Sequence, residues 1–147
     1  MEIETGRRHQ TLLILWCAML MNMGILFLVA FIAAPETNNS ASKVLTLVLA
    51  AVAVFLVGIS FAVKRKFIER SVDRQDTSLV QKGLILAWAI CEVSAMIGLL
   101  ERFLIGNWDY FVLFLLAAIG IALHFPRRDD LLAASYKTTS PAEAVLK

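Results

Sequence analysis

The sequence predicts an all-α polytopic membrane protein with four transmembrane helices and both termini in the cytoplasm. Three observations carry this. Of the 147 residues, 59% are hydrophobic and only 18% charged, where a soluble domain carries about 25% charged residues. The apolar residues gather into four runs, about 12–34, 44–63, 84–105 and 108–125, and roughly 20 such residues suffice to cross a hydrocarbon core. The basic residues are one-sided. Arg7, Arg8, Lys64, Arg65, Lys66, Arg70, Arg74, Lys82, Arg127, Arg128, Lys137 and Lys147 fall on one side of the four runs, and only Lys43 and Arg102 on the other. Short loops rich in Lys and Arg stay in the cytoplasm, and an even number of spans preserves the asymmetry. Residues 1–126 therefore form one four-helix transmembrane domain, and 127–147 a polar cytoplasmic tail.

The first run opens after Arg7-Arg8 and closes at Pro35. It is too long for the apolar region of a secretory signal, so it is read as a retained span. The second run follows a short polar loop that contains Asn38-Asn39-Ser40, a formal glycosylation acceptor. No Gly or Pro stops this helix before Lys64-Arg65-Lys66, so it is expected to continue into them. Ser78-Leu79-Val80-Gln81 has the form of a capping box, which starts the third helix ahead of its apolar run, and Gly106-Asn107 is a stop. The fourth run begins with Trp108 and Tyr110, expected in an interfacial aromatic belt, and ends at Pro126. The tail has room for one short interfacial helix around 131–136. His9 and His124 are expected at the interfaces, and Glu101 and Arg102 to snorkel to headgroups. Cys17 and Cys91 are read as packing residues.

Glu92 stands out because it lies near the middle of the third run. A central acidic residue costs about 2.5–3.5 kcal/mol on insertion scales, so it is expected to face a partner, a cavity or another subunit. Asn22 lies at nearly the same depth in the first run, and its amide can donate to a carboxylate or accept from an acid. Two roles stay open for the pair: a proton or ion site, and a structural interhelical bond. Gly83, Ala87, Cys91, Ser94, Ala95 and Gly98 recur every three or four positions along the third helix. That spacing puts them on one face, where small side chains let helices approach closely. The stripe does not say whether the neighbouring helix belongs to the same chain.

The segment Ala89-x-Cys91-Glu92-x-x-Ala95-x-x-Gly98-Leu99 resembles the ion-binding helix of the rotary ATPase c subunit, or proteolipid. The resemblance covers about a dozen residues and implies that Glu92 is an ion-carrying carboxylate.

No Ser/His/Asp set, phosphate-binding glycine loop, metalloprotease motif or metal-ligand spacing occurs, so neither enzymatic activity nor a cofactor or metal is expected. A net charge of +2 argues against a nucleic-acid partner. The leading expectation is a small helix-packing protein in a bacterial inner membrane, an accessory subunit or self-associating scaffold. Its partners would be the lipid bilayer and copies of itself or other membrane subunits. The alternative is a proton- or ion-translocating proteolipid-like unit built on Glu92.

Overall fold

The computed structural model describes residues 2–33, 43–106 and 109–135, and all regular structure among them is helical. Asn38-Asn39-Ser40, Trp108 and the end of the tail lie outside the described residues. Among the described residues five helices follow in order: α1 Glu2–Ala33, α2 Lys43–Arg74, α3 Thr77–Ile105, α4 Tyr110–Leu123 and α5 Arg128–Ser135. The helices α1, α2 and α3 are each long and apolar enough to cross a membrane. At about 1.5 Å per residue, α1 and α2 run to about 48 Å each. α4 has 14 residues, or about 21 Å, which is short of a hydrocarbon core of about 30 Å. The four expected spans therefore become three, or four if α4 and α5 form one span bent by 45°. His124 and Pro126 explain the break. His124 leaves the helical conformation, and Pro126 has no N–H with which to resume the ladder.

Both α1 and α2 extend beyond their apolar runs, α2 through the basic stretch to Arg74 as its lack of breakers requires. Its end is a two-residue turn. Gln75 adopts the left-handed conformation with φ 52°. Asp76 N–H donates to Ser71 O at 3.0 Å and Gln75 N–H to Val72 O at 3.3 Å, the pairing of a Schellman motif. Asp76 then caps α3, its carboxylate accepting from Ser78 N–H at 2.8 Å. The Ser78 hydroxyl and, after it, the Ser78 N–H hold the Asp76 carboxyl below its ordinary range by hydrogen bonding to the charged form. The capping box expected at Ser78 is thus replaced by a cap two residues earlier. A single Asp oxygen satisfies an orphan N–H, and the tight turn leaves Ser78 inside the first helical turn. At the other end of α3, Gly106 takes φ 74° and bonds back to Glu101 and Arg102, a stop that suits glycine.

The tight turn makes α2 and α3 an antiparallel pair. Residues spaced by seven on α2 meet α3 in sequence: Thr46 lies within hydrogen-bonding reach of Glu101, Ala53 meets Ser94, Ser60 meets Cys91 and Phe67 meets Gly83. A seven-residue repeat keeps one seam facing a partner over many turns. The helix α4 packs on the next face of α3, with Leu113, Phe114, Ala117, Gly120 and Ile121 buried. α1 closes the remaining side through Leu12, Met23 and Ala30, and Trp16 Nε1 donates to Ile121 O at 2.9 Å. α5 lays Leu131 and Ala134 against the bundle, so the beginning of the expected tail is packed. The helix α3 is therefore the hub, while broad apolar faces of α1 and α2 point outward. Ile14, Met21 and Ile32 on α1, and Leu47 and Phe55 on α2, are all well exposed.

Candidate functional site

The depth match between Asn22 and Glu92 becomes a contact. The Asn22 amide donates from Nδ2 to Glu92 Oε1, joining α1 to α3. An amide nitrogen can only donate, so the Glu92 oxygen is the acceptor whichever charge state the carboxyl holds. The pair does not sit in the core. Asn22 is exposed and Glu92 half-buried, and their flanking residues Met21 on α1 and Val93 and Met96 on α3 also face outward. The polar pair thus lies at an open edge between α1 and α3.

The six small residues of α3 occupy a different side. Gly83, Ala87, Cys91, Ser94, Ala95 and Gly98 are all buried, and α2 and α4 of the same chain cover them. The space beside Gly83 is filled by Phe67, and a Cβ at Gly83 would stand 2.5 Å from the Phe67 Cβ. At Gly98 a Cβ would meet the Leu113 Cβ at 3.0 Å and the Tyr110 carbonyl at 3.2 Å. Cys91 donates its thiol to Ser60 Oγ at 3.4 Å, and Ser94 Oγ donates to Ala53 O at 3.2 Å. Each polar side chain of the stripe therefore finds a partner within the chain, which removes the cost of placing it in an apolar interior. The stripe and the Asn22–Glu92 pair are separate features of one helix, the first turned inward and the second outward.

Sequence reasoning missed Gly120. A Cβ there would lie 2.9 Å from Cys91 Sγ and 3.3 Å from Val57 Cγ1, so α2, α3 and α4 meet at this one position. Gly24 and Gly58 sit in equally apolar sequence but have nothing within 4 Å. Only the packing tells these glycines apart.

Several residues expected at the membrane interface are enclosed by protein. Glu101 is 1% exposed and Arg102 7%. Arg102 donates from Nη1 to Gly106 O at 3.1 Å, and its guanidinium stacks over the Tyr110 ring at 5.3 Å. Tyr110 is buried as well. The reason is the short α3–α4 connection, which folds the start of α4 back over the last turn of α3. His124 is also fully buried, its ring edge-on to Phe61 with centroids 4.3 Å apart. Neither ring nitrogen completes a hydrogen bond, although the Ser60 carbonyl and Lys64 lie nearby. Of the cysteines, Cys17 is exposed and Cys91 buried.

Among the described residues no group of three or more His, Cys, Asp or Glu side chains could hold a metal ion. An apolar groove of about 420 Å³ runs between α1 and α4, lined by residues such as Met23, Phe27 and Phe114. It is remote in character from the polar pair, because it offers no group that could bind an ion. Comparison with protein-family models, curated proteins and solved structures finds no match to this chain.

Proposed function

We propose that the chain is a helix-packing subunit of a membrane assembly, accessory or self-associating, whose partner covers the edge between α1 and α3. One observation carries this reading: a mid-span polar pair that the chain's own helices leave open. A central acidic residue costs about 2.5–3.5 kcal/mol to insert. One interhelical hydrogen bond returns only about 0.6 kcal/mol on average. A second helix laid over Asn22 and Glu92 supplies the missing contacts, and the outward apolar residues beside the pair, Met21 on α1 and Val93 and Met96 on α3, provide the surface for it. The small-residue stripe does not serve this purpose, since α2 and α4 already occupy it.

The test places single cysteines at Met21 and Val93, which flank the pair, in a Cys17→Ser background. Cross-linking in native membranes is expected to trap a second copy or another subunit from both positions. Yields no higher than from Leu47→Cys, on the outward face of α2, would remove the assembly reading.

The proposed setting is a bacterial inner membrane with both termini in the cytoplasm. Its support is the gathering of basic segments at one end. Arg8 Nη1 donates to Thr77 Oγ1 at 3.0 Å, which brings the start of α1 to the α2–α3 turn, and Lys64 lies within electrostatic range of Arg127 and Asp130. Cytoplasmic reporters fused at Met1 and Lys147 are expected to be active. Activity of an export-dependent reporter at either end would refute the orientation.

The partial exposure of Glu92 supports a second reading, in which it carries a proton or cation, because a sealed carboxyl could not exchange one. Glu92→Gln separates the two. It keeps the side chain's size and the Asn22 contact but removes the titratable group. Under the assembly reading the variant folds and assembles at full strength. Under the ion-carrier reading it assembles but loses transport, and unchanged activity in the native assembly eliminates that reading.

A further inference from the structure

We propose that the cytoplasmic end of α2 and the α4–α5 break together form a headgroup site for an anionic phospholipid. The site rests on the membrane placement above and is independent of the proposed assembly. A recess of about 360 Å³ is lined by Phe61, Lys64, Arg65, Ile68 and Glu69. These residues are spaced by three and four, so they share one face of α2. Lys64 is the first charged residue after the apolar run ending at Val63, which sets it at headgroup depth. Beyond the bend after α4, α5 packs on α2, Arg127 and Asp130 act on Lys64 electrostatically, and the buried ring of His124 packs against Phe61.

The charges decide the ligand. Arg65 Nε and Glu69 Oε1 pair at 2.8 Å and neutralise each other. Lys64 is acted on electrostatically by one further cation, Arg127, and by one carboxylate, Asp130. One positive charge remains, and one phosphodiester with no compensating amine cancels it. A zwitterionic lipid such as phosphatidylcholine brings its own cation and gains little. The apolar rims, Phe61 and Ile68, suit the glycerol and upper acyl chain of a lipid and have no use for free phosphate. Basic pockets at the cytoplasmic end of transmembrane helices recognise anionic headgroups in this way.

The experiment titrates phosphatidylglycerol against phosphatidylcholine into the detergent-solubilised full chain, reading retained lipid by native mass spectrometry and the thermal unfolding midpoint. Phosphatidylglycerol is expected to bind preferentially and to raise the midpoint. Lys64→Gln and Arg127→Gln should each weaken phosphatidylglycerol about fivefold, the worth of one basic residue at an anionic surface. Arg70→Gln with Arg74→Gln, exposed on the same helix, should change binding less than twofold. Asp130→Asn raises the excess charge and should tighten binding, an opposite sign that no folding defect mimics. Equal binding of both lipids, an equal loss in the Arg70/Arg74 control, weaker binding by Asp130→Asn, or the same stabilisation from inorganic phosphate would each overturn the proposal.

Discussion

Trp88→Ala is expected to lower the unfolding free energy by about 3 kcal/mol, the low end of the range for truncating a large aromatic in a sealed interior. Trp88 is 0% exposed, and its Nε1 donates to His124 O at 3.1 Å. It therefore clamps α3 to the residue where α4 ends and the chain bends. Lipid does not drive helices together by the hydrophobic effect, so the loss comes from van der Waals contact and the hydrogen bond. The cavity lies within the protein, where lipid tails cannot refill it. Trp88→Phe keeps most of the volume and should cost about 1 kcal/mol, the net worth of one hydrogen bond. Denaturant titration in micelles checks both values. Equal losses for the two variants would show that the hydrogen bond, rather than the packing, holds the bend.

Leucine at Gly83, Gly98 or Gly120 should destabilise by about 1–3 kcal/mol or more, the usual cost of overpacking. Leucine at Gly24 or Gly58 should cost little. All five glycines lie within helices, yet only the first three have a neighbour within 4 Å of an added Cβ. Gly83 is the most severe, because the opposing atom is the Phe67 Cβ at 2.5 Å. A Cβ is tied to its backbone and cannot rotate away. At Gly120 the opposing Cys91 Sγ at 2.9 Å can change rotamer, but only by giving up its bond to Ser60. Ala87→Leu, on the same buried stripe, belongs with the costly group. Thermal aggregation in detergent should sort the variants into these two classes, and a single undivided class would show that α3 is not the hub.

The Gly24 and Gly58 pair also shows where the sequence stops being informative. Each is a lone glycine in an apolar run, as Gly120 is. Hydropathy and spacing describe only the chain's own helix, whereas the need for a missing side chain is imposed by the helix opposite. The stripe on α3 was legible because its small residues repeat at helical spacing. Gly120 has no such repeat, since one crossing point calls for one small residue. The burial of Glu101, Arg102 and His124 is illegible in the sequence for a related reason. Their positions near the ends of apolar runs place them at an interface only if nothing folds over them. The short link before α4 and the break at Pro126 cover them with protein.

By itself the sequence determined the helical class, three long apolar helices and the helical stop at Gly106. These follow from composition, period and backbone chemistry, which act within a few residues. It also placed Asn22 and Glu92 at one depth, since rise per residue is a local constant. Tertiary structure alone decided that those two meet at an open edge, that the small stripe is used up inside the chain, and that α4 is short and bent into α5. The physical reason is that depth and face are properties of one helix. Contact, coverage and exposure belong to pairs of helices, and they depend on rotations about the helix axes that no single period encodes.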